Sequence, residues 1–393
     1  MARRVLGNCD IYTGGDVLIE SAIVVQDDTI VNLIPLSSAL ANPDFVDLHG
    51  LCVSPGFIDI QVNGGGDHLF NDTPTAETIR KISLAHRRFG TTHWLPTLIT
   101  TREEVMLEAI AAAARSARAN RDGVLGIHLE GPLLNPSRTG VHDRGLMVDV
   151  LSGRLLAAMG VSIEMVRIMT LAPEVIDMAL LRRIMETETK VAVGHSDASA
   201  AVARTAISNG ANLATHLFNA MSQITAREAG VVGAFLGGDD AYVSVVADGL
   251  HVSFETLRVA LNAKPAGKVL LITDAMPPVG GVTGYYFIGD TEVNLIDGKC
   301  TTKEGVLAGS ALDLATAIRN LVQVMGVPKD EAIRMATLYP ATYLGVSQMF
   351  GRIASGYTGS LAIFDNEMRV HATMHAGELE VYGQPAPDPV YRD

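Results

Sequence analysis

KVAVGHSDASAAVARTAISNGANLATHLFNA, residues 190–220, is the stretch on which the fold turns. A short apolar run rich in β-branched residues (190–197) passes into a helical segment, SAAVARTAISNG (199–210), and then into a second short run (212–220). Strand, helix and strand in that order predict a right-handed crossover between parallel neighbours. Both runs end in polar residues that a plain strand would not choose: His195 with Asp197, and His216 with Asn219.

The same unit repeats outward from this point. Upstream lie GFIDIQVN (56–63), TTHWLPTL (91–98), VLGIHLEG (124–131) and VRIMTLAPE (166–174); downstream lie YVSVVADG (242–249) and KVLLITDAM (268–276). Helical segments such as TAETIRKISLAHRRFG (75–90), REEVMLEAIAAAARSARAN (102–120) and PEVIDMALLRRIMETET (173–189) separate them. Eight such units predict an α/β fold in the form of a closed (β/α)8 TIM-like barrel. Two further amphipathic helices are expected after the eighth strand, in ALDLATAIRNLVQVM (311–325) and KDEAIRMATLYPATYLG (329–345). The rival is an open doubly wound sheet. That fold usually carries GxGxxG or GxxxxGK[ST] after its first strand, and neither is present.

The two ends differ from the middle. VLIESAIVV (17–25), TIVNLIPL (29–36) and FVDLHGLCVSP (45–55) are short extended segments between turn residues, and residues 351–383 return to that style. Chain ends of a compact domain often meet. The expected organisation is therefore one small β domain built from residues 1–53 and 348–393, with the barrel, 54–347, inserted between them. Gly64-Gly65-Gly66 is read as a tight turn out of the first barrel strand.

Composition narrows the function classes. Of 393 residues, 48% are hydrophobic, which excludes a disordered chain. A net charge of −13 without a Lys/Arg-rich run argues against a nucleic-acid binder, and an anionic substrate would need a local cluster of cations. No apolar stretch reaches the roughly 18 residues of a membrane span. No apolar segment follows the two arginines of MARRVLGNCD, so no secretory leader is expected. Cys9, Cys52 and Cys300 show no CxxC spacing and are read as buried thiols of a cytoplasmic protein.

The polar residues point to chemistry. Asp59, Gln61 and Asn63 share a face of strand one. His128 and Glu130 end strand three, and Glu174 follows strand four. His195, Asp197, His216 and Asn219 end strands five and six. Asp248 with His251, and Asp274, end strands seven and eight. In a parallel barrel these carboxyl ends form one rim, where such enzymes carry their active sites. Taken singly, a buried histidine is more often a hydrogen-bonded core residue; His86 and His93 are read that way, and His371 and His375 as surface residues. Glu130, His195 and His216 form a set of three ligands that suits a catalytic Zn²⁺ with one open position. Water activated there would be the nucleophile. Asp274 would pass its proton to the leaving group, and His142, in TGVHD, would polarise a substrate carbonyl. His128-Leu129-Glu130 also matches the H-x-E half of the nucleobase deaminase signature, but the required P-C-x-x-C is missing.

PGFIDIQVNGGG, GIHLEGPLLNPSRTGVHD, VGHSDAS, THLFNAM, VVADGLHV, LITDAM and LAGSALDL occur in this order between about Ser54 and Tyr343. In these motifs the chain resembles the N-acetylglucosamine-6-phosphate deacetylases, a family of the amidohydrolase superfamily. The resemblance implies a barrel with a small β-sandwich, a homodimer, and hydrolysis of the acetamide of a 6-phosphorylated amino sugar. It implies that Glu130, His195 and His216 hold one divalent metal ion, with Zn²⁺ favoured over Fe²⁺, Co²⁺ or Mn²⁺, and that Asp274 is the catalytic aspartate. His142, with Val141 beside it, would contact the acetyl carbonyl. Asn219, Ala220, Arg227 and His251 would bind the sugar phosphate, with a contribution from the other subunit. Leu307, Ala308, Gly309 and Ser310 would form a loop over the sugar. Many members of the superfamily carry H-x-H on strand one; here Gln61 and Asn63 stand instead, which implies one metal and a role for Gln61 in contacting metal-bound water. Two other readings are an enzyme for the C4 epimer, N-acetylgalactosamine 6-phosphate, and a barrel that has lost catalysis and serves as a scaffold.

Overall fold

The computed structural model describes residues 3–161 and 165–383. The outermost parts of the expected β domain, 1–2 and 384–393, lie outside the described residues. Eight parallel strands pair in sequence order: β1 (Phe57–Val62), β2 (Thr91–Ile99), β3 (Gly126–Glu130), β4 (Val166–Leu171), β5 (Lys190–Val193), β6 (Leu213–Ala214), β7 (Tyr242–Val246) and β8 (Val269–Ile272). The seam between β8 and β1 closes just past their ends. Val62 bridges Ala275 in parallel, the Asp274 N–H donates to the Gln61 carbonyl at 3.0 Å, and the Asn63 and Gly64 N–H groups both donate to the Ala275 carbonyl. Lower in the seam the buried Asp59 carboxylate replaces a ladder rung, accepting from the Thr273 N–H at 3.2 Å and its hydroxyl at 2.5 Å. The expected closed barrel is therefore the fold.

Every barrel strand is followed by a helix on the outside: Ala76–Arg87, Glu103–Ala119, Gly153–Val161, Met178–Glu186, Ala200–Ser208, Gly230–Leu236, Phe254–Ala263 and Leu314–Gln323. Five of them begin at residues built for the purpose. Thr75, Asp177, Ser199, Ser253 and Asp313 each accept an N–H of the first turn, which satisfies a donor that would otherwise have no partner. The strands are buried almost throughout, and their apolar residues form one core with the inner faces of these helices.

Three features depart from the sequence reading. Residues 285–310 form an antiparallel sheet of Tyr285–Ile288, Thr291–Ile296, Lys299–Thr302 and Leu307–Ser310, inserted between β8 and its helix. Leu307–Ser310 is thus an edge strand, not a loop. The segment 329–345 makes two helices, Lys329–Met335 and Leu338–Leu344, because Pro340 has no N–H and its ring would clash with the carbonyl one turn earlier. His375 is buried, with Nε2 3.1 Å from the Arg121 carbonyl and its ring beside His93. It lies on the strand face that packs under the barrel, so it is not a surface residue.

The chain ends build two sheets. One orders Thr29–Pro35, Ser21–Gln26, Arg3–Gly7 and Phe45–Asp47; the other orders Glu378–Val381, Val370–His375, Leu361–Phe364, Cys52–Pro55, Asp10–Tyr12 and Val17–Leu18. The second joins both ends of the chain, with Leu361 opposite Pro55. Leu6, Ile23 and Ile30 of the first sheet share a core with Val53, Leu361 and Met374 of the second, which makes a β-sandwich. The three glycines after β1 serve close approach as well as turning. Gly64-Gly65 pairs with His68-Leu69, a Cβ on Gly65 would meet the His86 ring at 2.8 Å, and Gly66 alone of the three has a left-handed backbone. No described helix is long and apolar enough to cross a membrane.

Candidate active site

The carboxyl ends of the barrel strands open into a cavity of about 440 Å3. Glu130, His142, His195, His216, Asn219, Ala220, His251 and Asp274 line it, with Val141, Leu307 and Gly309. Of the residues expected there, Gln61, Arg227, Ala308 and Ser310 are absent from the wall. Gln61 sits beneath it. Arg227 lies in an exposed bend and does not line the cavity. Ala308 and Ser310 follow from strand alternation: Leu307 and Gly309 face the cavity, whereas Ala308 faces the core of the inserted sheet and the Ser310 hydroxyl donates to the Thr273 carbonyl. Sequence reasoning missed Ser137, Arg138, Thr139 and Gly140, the apolar wall of Ile99, Met276 and Val306, and the part Asn63 plays.

Glu130, His195 and His216 converge. Glu130 Oε1 is 2.9 Å from His216 Nε2 and 3.3 Å from His195 Nε2, and the two imidazole nitrogens are 3.2 Å apart. All three residues are buried, and one ligand atom from each lies within 4.8 Å of the others. Lone pairs held this close repel unless a proton or cation lies among them, so this donor set fits a metal ion. His195 Nδ1 is 2.8 Å from the Arg138 carbonyl. A carbonyl only accepts, so Nδ1 carries the proton and Nε2 turns its lone pair inward, as a ligand must. Burial pushes the Glu130 carboxyl up, but the His195 and His216 rings against it outweigh this and hold the carboxyl well below its usual range. Burial lowers His216, yet the Glu130 hydrogen bond leaves it raised.

Backbone conformation aims these groups. His195, His216 and Asp274 all have positive φ, at 49°, 34° and 52°. Such left-handed non-glycine residues cost about 1–3 kcal/mol each and concentrate at functional sites. Here each lies just past a strand end and turns its side chain over the barrel mouth.

Asp274 is held by amides. Asn63 Nδ2 donates to its Oδ1 at 2.7 Å and Gln61 Nε2 at 3.1 Å, while Gln61 also reaches both Glu130 oxygens at 3.3 Å. Oδ2 makes no hydrogen bond among the described residues. Burial raises the Asp274 carboxyl and the charge of Glu130 raises it further. His142 lies on the opposite side, its Nε2 4.0 Å from Glu130 Oε2. The Thr100 N–H donates to His142 Nδ1 at 3.3 Å, which makes Nδ1 the acceptor and leaves the proton on Nε2. Burial and the neighbouring His195 push His142 down to about 3, so it is a neutral donor.

His251 is paired with a carboxylate at the cavity wall. Asp248 Oδ2 is 2.6 Å from its Nδ1, and Asp248 Oδ1 accepts the N–H groups of Leu250 and His251 at 2.8 Å each. Burial lowers His251, but Asp248 more than reverses this and leaves it above its ordinary value. Arg138 also lines the wall, but its guanidinium is committed to Asp197 at 2.6 and 2.9 Å. His128, below the cavity, bonds Thr170 at 2.7 Å and belongs to the barrel interior.

A barrel with two imidazoles and a carboxylate gathered at its strand ends defines a metal-dependent hydrolase of the amidohydrolase class. Residues 52–380 match the amidohydrolase family and residues 5–53 the NagA composite domain, so the chain belongs to the amidohydrolase family. It is 36% identical to an N-acetylgalactosamine-6-phosphate deacetylase from Shewanella sp. (strain ANA-3), with 94% of both chains covered. It is 32% identical to an N-acetylglucosamine-6-phosphate deacetylase from Haemophilus influenzae, covering 94% of this chain and 97% of that one. Among solved structures, the N-acetylglucosamine-6-phosphate deacetylase of Pasteurella multocida superposes with a TM-score of 0.93 at 34% identity, over 97% of this chain and 100% of that one. A mutant of the Mycobacterium smegmatis enzyme in complex with N-acetyl-D-glucosamine-6-phosphate gives 0.89 at 31%, over 97% and 100%.

Proposed function

We propose that the protein hydrolyses the acetamide of N-acetylglucosamine 6-phosphate, releasing acetate and glucosamine 6-phosphate. The observation that carries this reading is the convergence of Glu130, His195 and His216 opposite Asp274 in one cavity, in a chain whose relatives are deacetylases of such sugars. Glu130, His195 and His216 would hold one divalent ion, for which two imidazoles and a carboxylate suit Zn²⁺. When bound, the ion supplies Lewis acidity, lowering the pKa of water and polarising a carbonyl.

The chain's own groups supply the rest. His142 donates its Nε2 proton to the acetyl carbonyl oxygen and stabilises the charge that develops there. Asp274 accepts a proton from the attacking water through Oδ2 and delivers it to the amide nitrogen as the C–N bond breaks. Gln61 and Asn63 fix Asp274 by its other oxygen. His251, kept cationic by Asp248, receives the phosphate, with Asn219 and Ala220 beside it. Leu307 and Gly309 cover the sugar.

One cation is little for a phosphate dianion, and Arg227 is exposed on its own chain. We infer a homodimer in which Arg227 reaches the neighbouring subunit's cavity. Mixing Asp274→Asn subunits with Arg227→Ala subunits tests this. Action across the interface gives a hybrid with one intact site, and activity returns; action within one chain leaves no intact site, and the mixture stays inactive. The free, buried cysteines support a reducing cytoplasm, and the sheet and core shared by the two chain ends support a division into the barrel at 54–347 and a β domain from both ends.

The Shewanella relative favours a second reading, the galacto epimer. The kcat/KM values for acetate release from the two 6-phosphates decide between them: a higher value on the gluco compound supports the proposal, and a higher value on the galacto compound replaces it.

A further inference from the structure

Glu174 does not line the cavity, yet it accepts three hydrogen bonds at the rim. Its Oε1 accepts from Asn135 Nδ2 at 2.8 Å and from the Asp197 N–H at 2.6 Å, and its Oε2 accepts from the Ser196 hydroxyl at 2.7 Å. It thus ties the loop after β3 to the two residues that follow His195. The same loop is fastened twice more. The Asn135 N–H donates to the His195 carbonyl at 2.9 Å, and Arg138 clasps Asp197. Between these fastenings lies the Arg138 carbonyl, 2.8 Å from His195 Nδ1.

We propose that Glu174 is a positioning residue that sets the tautomer and orientation of His195 by clamping the 135–138 loop against the end of β5. The inference rests on the reading of His195 as a metal ligand. His195 lies past the end of β5 with a left-handed backbone, so its side chain leaves the line of the strand. Its Nδ1 is held by one carbonyl on a loop, and of that loop's three fastenings Glu174 is the one that joins Asn135 to both Ser196 and Asp197. Without Glu174, the Asn135 amide and the Asp197 N–H lose their shared acceptor, the loop lifts, and the proton on Nδ1 loses its partner. The imidazole then samples the tautomer with the proton on Nε2, which cannot bind a cation. Partners behind a ligating histidine act in this way.

The test is zinc titration of the metal-free protein by calorimetry, with Glu174→Ala beside the parent. Long-range 1H–15N spectra of the His195 ring provide the tautomer. The expected result is zinc affinity weaker by about 10- to 100-fold in Glu174→Ala, with the His195 proton shared between both nitrogens. Zinc affinity within twofold of the parent, with the proton still on Nδ1 alone, overturns the proposal. Should Glu174→Ala not fold, Glu174→Met keeps the side-chain length without either acceptor oxygen and is expected to lose about 10- to 100-fold; parent-like affinity in that variant overturns the proposal as well. Neither readout uses substrate, so a parent protein that binds zinc but cleaves no amino-sugar amide would refute the proposed activity and not this clamp.

Discussion

Replacing Asp248 by Asn isolates the charge that makes His251 a cation. The two side chains are almost wholly buried and 2.6 Å apart, and Asp248 Oδ1 is anchored by two backbone N–H groups. An asparagine oxygen can keep both backbone bonds, so the change removes charge with little change of shape. A charge-assisted hydrogen bond is worth about 1.5–3 kcal/mol. At about 1.4 kcal/mol per unit, that lowers the His251 pKa by roughly one to two units. The sign is fixed by the raised pKa: His251 is charged below it and loses its charge as pH climbs through it. Burial alone drives the other way, so the variant's His251 should be neutral at neutral pH. The KM for the 6-phosphate should then rise by about 10-fold or more near pH 7.5, with kcat nearly unchanged. Lowering the pH should recover the loss. Steady-state kinetics across roughly pH 6 to 8.5, on phosphorylated and unphosphorylated N-acetylglucosamine, provide the assay. An equal rise in KM on both sugars, or no rise at all, refutes the reasoning.

Asp274→Asn should retain stoichiometric metal and lose about 10²- to 10⁴-fold in kcat; metal analysis beside turnover checks it, and normal turnover excludes the proton relay. Gly309→Ala should lower kcat without unfolding the protein, since Gly309 has φ +72° and a Cβ there would press on Met276 and on the Asp274 carbonyl at 2.9 Å; an unchanged kcat would show that this wall yields freely. Acid should destabilise the fold well before the carboxylates protonate. His86 and His375 are pushed down to about 4 by burial, so the unfolded chain binds protons first and stability falls as pH drops from 6.5 toward 4. Each histidine contributes a loss of about 2 kcal/mol by pH 5, and a melting temperature that stays flat between pH 7 and 5 would contradict this.

The barrel was legible because its strands are almost wholly buried and so read as apolar runs, seven of them closed by a polar residue on the rim. The cluster of Glu130, His195 and His216 was legible for the same reason: these are costly residues at strand ends. Other parts carry weaker signals. The inserted sheet had its markers in Gly289-Asp290 and Asp297-Gly298, and the second pair does adopt positive φ at both residues. Those markers lie in 285–310, a stretch without the strand–helix rhythm, and only its last four residues were assigned, as a loop. Once that stretch is seen as a strand, alternation alone separates Leu307 and Gly309 from Ala308 and Ser310. Glu174 could be placed on the rim from sequence but not given partners, and Arg138 could not be picked out at all, because an ion pair or an acceptor across loops depends on which loops meet. Thr100, which sets the tautomer of His142, is a plain strand-end threonine whose role depends on one backbone N–H. His375 looked like a surface residue because its segment alternates; only the packing of that strand beneath the barrel buries it.

The central claim is that one divalent ion held by Glu130, His195 and His216 is required for amide cleavage of a 6-phosphorylated amino sugar. Its most direct test is acetate release from N-acetylglucosamine 6-phosphate by protein stripped with a chelator and then reloaded. The stripped protein should show no turnover, and one equivalent of a divalent ion should restore it. Undiminished turnover by protein shown to hold no metal would contradict it.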